Sequence, residues 1–219
     1  MWNKILILAI SRKPPYRCVA GVEVLHDGSF GGWIRPVDSN FQDAIRKQTL
    51  DGDQNRNPVK KLGVYNIEFT TSVPWKYQVE NKEITGSKWT HTGNVDVREL
   101  EKISTIDALP WVNGYSSHNG INDQVPEKYF NQTSASLALI FTQNLEVMVS
   151  NEYNRKSLRG IFSHAGTDYK FKITCPEFEE LFNEEGSFPI GPTFLTLSLG
   201  EPYKGNSYKL VAGVFPRAE

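Results

Sequence analysis

"RCVAGVEV", Arg17–Val24, and "KLVAGVFP", Lys209–Pro216, put the same four letters, VAGV, near both ends of a 219-residue chain. Each run is rich in β-branched and apolar residues and reads as a strand. The glycine inside it marks a bend or a close approach by a neighbouring backbone. Whether the repeat reflects a duplicated unit decides the fold.

Around the first run, "KILILAI" reads as a strand, "SRKPPY" as a loop, "HDGS" as a turn and "FGGWIRPV" as a third strand stopped by Pro36. "SNFQDAIRKQTL" predicts a short helix with Ser39 as N-cap, and "DGDQNRNPVKK" a polar loop. "LGVYNIEFTTSV" and "KYQVENKEI" then predict two more strands. Around the second run, "LEVMVS", "SLRGIFSH" and "DYKFKIT" predict three strands with tight connections at "NEYNRK" and "AGT". "CPEFEELFNEE" predicts a helix with Pro176 early and Phe178, Leu181 and Phe182 on one face, before the strands "TFLTLSLG" and "YKLVAGVF". Both halves read β-β-β-α-β-β. VAGV falls in the second strand of one half and the fifth of the other, so the element order repeats and the letters do not.

That order is the order of an OB-fold, a five-stranded, partly open Greek-key barrel. The expected fold is mainly β with a few short helices: two OB-fold-like five-stranded barrels in tandem, closely packed. The first barrel is expected over 1–86 and the second over 135–219, with a helix and long-loop connector at 87–134. In that connector "GNVDVRELEKIS" predicts a helix with Asn94 as N-cap and acids in its first turn. "LPWVNGYSSHNGINDQVPEKYF" has almost no periodicity, and long irregular loops are often functional. "ASLALIF" returns as a strand.

Composition sets outer bounds. Apolar residues make up 39% of the chain, enough for a true core and unlike a disordered chain. A net charge of −1 excludes a uniformly basic coat, yet residues 1–61 carry 10 Lys+Arg against 6 Asp+Glu and the remainder 14 against 19. The asymmetry points to a basic surface at one end. Cys18 and Cys175, in apolar runs and in no CxxC pattern, are expected as reduced, buried thiols. The apolar run Ile5–Ile10 is too short for a membrane span of about 20 residues, and Arg12 and Lys13 follow it where a secretory signal would place cations first. The expected compartment is the cytoplasm.

The phrases "SRKPPYRCVAG", "GGWIRPV", "VNGYSSHNGINDQVP" and "SLGEPYKGNSYKLVAG" occur together in this order, and with them nearly the whole chain resembles the bacterial dual-OB-containing domain family. The resemblance implies the tandem OB fold. It further implies nucleic-acid binding in prokaryotic conflict and defence contexts.

An OB barrel binds oligonucleotides on the face around its strands 2 and 3, gripped by the loops joining strands 1–2 and 4–5. In the first half the 1–2 loop offers Arg12, Lys13 and Arg17 for phosphates and Tyr16 for base stacking. Two prolines stiffen it, which lowers the entropy lost on binding. Trp33 and Arg35, two apart on strand 3, share a face and read as a stacking platform, or else as a core Trp beside a solvated cation. In the second half the 4–5 loop "GEPYKGNSYK" offers Tyr203, Lys204, Tyr208 and Lys209, with Glu201 able to pair with a cation or accept from cytosine N4. In "SSHNGIND", Ser117, His118, Asn119 and Asp123 are able to bond a ligand or to cap the loop's own backbone.

No Walker A loop, GxSxG elbow or GxGxxG occurs, the four histidines are scattered without ligand spacing, and no metal or cofactor is expected. The leading expectation is a non-catalytic module for nucleic acid, single-stranded, or for a nucleotide. Its alternatives are a hydrolase of nucleic acid or nucleotides using His118, Asp123 and Glu201, and a protein-interaction scaffold for an effector.

Overall fold

The structure, a computed structural model, describes residues 1–51, 58–152 and 154–217. Most of the polar loop expected over 51–61, and Tyr153 of the "NEYNRK" connection, lie outside the described residues. The chain divides into two compact units, Met1–Lys102 and Ile103–Glu219. The boundary falls inside the stretch 87–134 read as a connector.

The first unit contains β1 (Trp2–Lys13), β2 (Tyr16–Val24), β3 (Phe30–Val37), α1 (Lys47–Leu50), β4 (Gly63–Ser72), β5 (Asn81–Ile84) and β6 (Thr90–Asn94). β1 pairs antiparallel with both β2 and β4, β2 with β3, and β4 with β5. A parallel pairing of β3 with β5, Arg35 opposite Asn81, closes the ring. Five strands closed this way, with a helical segment between the third and fourth, make the expected OB barrel. Its interior is filled by Ile5, Ile7, Val19, Ile34, Ile67 and Phe69 among others. Gly21 pairs with Ile7 where β1 bulges, and a Cβ there would lie 2.1 Å from the carbonyl oxygen of Leu6. The first VAGV therefore owes its glycine to close backbone approach.

The second unit contains β7 (Gln124–Pro126), β8 (Leu137–Glu152), β9 (Arg155–His164), β10 (Thr167–Ile173), α2 (Pro176–Glu179), β11 (Gly186–Leu199) and β12 (Asn206–Pro216). β8 pairs with β9 and β11, β9 with β10, and β11 with β12, all antiparallel. β10 and β12 close this ring too, in parallel, at Lys172–Leu210 and Ile173–Val211. Phe162, Tyr169 and Phe171 form an aromatic knot inside it, with ring centroids 5.1–5.4 Å apart. The stretch 87–134 also contributes strands: β6 extends β4, and β7 pairs with β12.

The helical expectations need correction. "SNFQDAIRKQTL" is not one helix but a 3-10 turn, Ser39–Phe41, and the single turn α1. Gln42 and Asp43 take positive φ, 58° and 54°, and Ile45 exchanges two backbone hydrogen bonds with Arg17 at 2.8 and 2.9 Å. Strand pairing thus takes the groups a helix would have used. The cap is Asp38, whose side chain accepts from the Asn40 amide, and not Ser39. Asn94 ends β6, and the following helix is the 3-10 segment Val97–Lys102, whose Arg98 amide donates to Asp96. α2 stops after one turn; Phe178 is buried against Phe182, but Leu181 is 70% exposed and off that face.

Both cysteines are reduced thiols, outside any disulfide. Cys175 is buried just before α2, whereas Cys18, on β2, is only half-buried. Among the described residues no helix is long and apolar enough to cross a membrane.

Candidate nucleic-acid interface

The β1–β2 hairpin sets Arg12 directly opposite Arg17 and Lys13 opposite Tyr16. Cross-strand partners project from one face, and like charges placed there destabilise a sheet. Arg12 is exposed, Lys13 donates to the carbonyl of Gln42 at 2.5 Å, and Arg17 donates to the carbonyl of Tyr16 at 3.1 Å. The Arg17–Ile45 pairing brings the segment before α1 alongside. Phe41 then meets Tyr16 edge-on at 5.5 Å, and the Arg46 guanidinium lies 4.5 Å from the centre of the Phe41 ring. The result is a half-buried aromatic pair bordered by several cations. Phe41 and Arg46 carry no signal along the chain, because a continuous helix would have turned them along another axis.

The β4–β5 loop is a further departure from expectation, because "KYQV" reads as strand. Residues 73–80 instead curl, with Trp75 and Gln78 exchanging backbone hydrogen bonds. Trp75 is 40% exposed, with the Lys76 ammonium 4.8 Å from its ring centre. "PWKY" between two strands was the available signal, since this is the second loop by which an OB barrel holds its ligand. Trp33 is half-buried, whereas Arg35 is only 6% exposed. At Arg35 the strand gains β5 as a second neighbour, and its amide donates to the Glu80 carbonyl at 2.9 Å. Buried Gln78, Glu80 and Asn81 belong to the same region, so Arg35 is part of a covered polar layer and not an open platform.

In the second barrel the β11–β12 loop presents Tyr203, 59% exposed, with the Lys204 ammonium 5.3 Å from its ring centre. Glu201 is exposed and Tyr208 half-buried. The Glu127 amide donates to the Gly205 carbonyl at 2.9 Å, which ties the 3-10 segment Glu127–Gln132 to this loop. There Tyr115 and Tyr129 share a hydroxyl–hydroxyl bond of 2.8 Å, and the Lys128 ammonium lies 5.6 and 5.0 Å from their ring centres. The Tyr115 hydroxyl is pulled below the usual phenol range by its bond to Tyr129 and by Lys128, while the same bond pushes Tyr129 up. Tyr115, Lys128 and Tyr129 had no sequence signal beyond their loop.

The loop "SSHNGIND" mends the barrel. β10 pairs with β12 only at its last two residues, Lys172 and Ile173, opposite Leu210 and Val211 in the middle of β12, and residues 121–126 lie between the earlier parts of the two strands. Ile121 bridges Lys170, Asn122 Nδ2 donates to the Asp168 carbonyl at 3.0 Å, the Asp123 carbonyl accepts the Lys209 amide at 2.8 Å, and β7 continues along β12. The Asp123 carboxylate, on a residue 2% exposed, accepts the Ser117 amide and hydroxyl, each at 2.6 Å, with Arg159 3.8 Å away. A Cβ on Gly120 would lie 2.0 Å from Asp123 Oδ2. Arg159 also binds Glu152 at 3.0 Å and holds its carboxyl below the usual range.

Lys209 has no solvent exposure. Its ammonium donates to the Val112 carbonyl at 2.8 Å and to Asn113 Oδ1 at 2.9 Å, and burial lowers its pKa to about 8 despite the charge of Asp123. Asp123 and Lys209 are therefore committed to the fold and withdrawn from any ligand surface, as is Arg35 in the first barrel. His118 is exposed and Asn119 half-buried on the outside of the loop. Of the three residues His118, Asp123 and Glu201, Asp123 is buried and bonded to Ser117, whereas His118 and Glu201 are exposed. Among the described residues no group of three or more His, Cys, Asp or Glu is placed to hold a metal ion.

A family model described as a dual OB-containing domain matches residues 3–214. No curated protein matches the chain. Among solved structures, the crystal structure of the tetrameric p202 HIN2 is similar at 7% identity over 98% of this chain and 91% of that one. Its TM-score of 0.33 adds nothing to the strand pairing above.

Proposed function

The chain belongs to the dual OB-containing domain family, and from that premise we propose that it binds nucleic acid, single-stranded, or a nucleotide, without turning it over. OB barrels commonly bind oligonucleotides through the strand 2–3 face and its two flanking loops. The observation that carries the reading is the first barrel's rim, where Arg12 and Arg17 stand opposite each other beside the Tyr16–Phe41–Arg46 stack. Cations neutralise phosphates and flat rings accept unstacked bases, the combination that suits a strand with free bases better than a closed duplex. Trp75 with Lys76 on the β4–β5 loop adds a second ring and cation to this barrel. On the second barrel, Tyr203–Lys204 and Tyr115–Lys128–Tyr129 repeat the pairing. The bacterial defence setting belongs to the proposal on the strength of the resemblance, the cytoplasm as compartment on the reading of the N-terminal segment, and a protein effector as partner is the scaffold alternative to it.

The test is fluorescence anisotropy with a labelled single-stranded oligonucleotide across a salt series. Arg12→Gln with Arg17→Gln is expected to weaken binding and to flatten the slope of log K against log salt by about 0.7 for each phosphate no longer neutralised. An unchanged slope in that double variant, or tighter binding of duplex than of single strand, counts against this rim.

A further inference from the structure

An OB barrel lays oligonucleotides over its second and third strands, which in the second unit are β9 and β10. The chain's own loop already draws on that region: Ile121 bridges Lys170, Asn122 bonds the Asp168 carbonyl, and Arg159 is engaged by Asp123 and Glu152. The same segment gathers aromatic side chains at another edge of this barrel. Asn206 pairs with Pro126, and the Glu127 amide donates to the Gly205 carbonyl at 2.9 Å, so the chain leaving β7 runs beside the β11–β12 loop. Lys128 and Lys204 are each one residue from that bond. The Gln124 amide donates to the Tyr115 carbonyl at 3.1 Å, which holds Tyr115 against β7, and the Tyr115 and Tyr129 rings lie 5.5 Å apart. Tyr203 sits on a turn braced by two backbone bonds with Asn206, at 2.7 and 3.2 Å. Each of the two ammonium groups lies 5.0–5.6 Å from a tyrosine ring centre.

The make-up of this edge narrows what it can hold. Flat rings accept unstacked bases of any sequence. Glu127 and Glu201, both exposed, stand in the same two segments as Lys128 and Lys204, so the charge there is close to balanced and few phosphates can be neutralised. The first barrel's rim is opposite in character, with Arg12, Lys13, Arg17 and Arg46 around a single aromatic pair. The backbone bonds that fix the loop tip and Tyr115 lower the entropy lost on binding. We propose that the second barrel carries its own single-strand site, built from Tyr115, Lys128, Tyr129, Tyr203 and Lys204, which holds unpaired bases by stacking. The chain is then bivalent, with one site that grips phosphates and one that grips bases. This rests on the single-strand reading above but on a separate set of residues.

The experiment titrates hexathymidylate into the full chain by calorimetry across a salt series. The wild type is expected to take up two oligonucleotides per chain. A rim variant combining Arg12→Gln, Tyr16→Ala and Arg17→Gln is expected to keep one, with a log–log salt slope no steeper than about 1.4, since each of two lysines contributes about 0.7. Adding Tyr203→Ala to the rim variant is expected to weaken that remaining site at least about fivefold, and adding Tyr115→Ala to do the same. Tyr203 is 59% exposed, so its loss leaves the fold intact. Tyr203→Ala alone is expected to leave one site with a steep salt slope. The second site is overturned if the rim variant loses all the binding that the wild type shows, if its slope stays steep, or if neither tyrosine matters in it. The first barrel's rim stands in each of those cases. Absence of uptake by the wild type removes both sites together, and the oligonucleotide reading with them.

Discussion

Lys209 Nζ lies 2.8 Å from the Val112 carbonyl oxygen, inside the second barrel, and so pins the start of the long loop to the middle of β12. Burial lowers the folded pKa of this ammonium from 10.5 to about 8. Between these values the unfolded chain binds a proton that the folded chain does not, so Lys209 makes stability rise with pH from about 8 to 10.5. Below pH 8 the cost of burying the charge is carried in full. Chemical denaturation across that window is expected to show a gain in the wild type that Lys209→Met lacks. A parallel pH dependence in the two proteins would contradict it.

Asp123 is the loop's other anchor, with both oxygens taken by Ser117 and with Arg159 beside it. Asp123→Ala frees the two half-buried donors of Ser117 and leaves Arg159 with Glu152 as its remaining carboxylate partner, a loss of about 2–4 kcal/mol. Hydrogen exchange is expected to accelerate over residues 113–126 first, because that segment closes the gap between β10 and β12. Oligonucleotide binding at the first barrel's rim is expected to persist.

Gly21→Ala places a methyl group 2.1 Å from the Leu6 carbonyl oxygen, a clash with backbone that no rotamer relieves. The β1–β2 pairing must shift, and the first unit is expected to lose at least about 2 kcal/mol. Calorimetry would show it as a lowered transition, and an unshifted one would mean that β1 adjusts freely at its bulge.

Tyr16→Ala and Phe41→Ala each remove a ring without removing a charge. Each is expected to weaken single-strand binding by about 1–3 kcal/mol while leaving the salt slope as it was. Arg46→Gln is expected to do the opposite, with a flatter slope and a smaller loss at low salt. A changed slope in the ring variants would show that they act by disturbing Arg12 or Arg17.

The two barrels were readable along the chain because their signals are local. Alternating and β-branched runs such as "KILILAI" and "TFLTLSLG", bounded by Gly, Pro and Asn, reveal strands one at a time, and their order repeats. The hairpin rim was readable for the same reason, since Arg12, Tyr16 and Arg17 sit on one short turn. Helices were overread. Ser39–Leu50 has helical spacing, but Ile45 found a better partner in β2, and only the closed barrel offers that partner. Arg35 was misplaced because two-residue spacing assigns a face without saying what covers it.

By itself, then, the chain determined the sequence of strands, the tandem arrangement and the cations on the first hairpin, because each rests on residues a few positions apart. The tertiary structure alone decided which polar residues stay available. Asp123 and Lys209 look like ligand groups in a loop and in a strand end. They are buried because β10 and β12 pair only from Lys172 and Leu210 onward, and the edges left open before those residues are satisfied by a segment that lies well upstream of β12 in the chain.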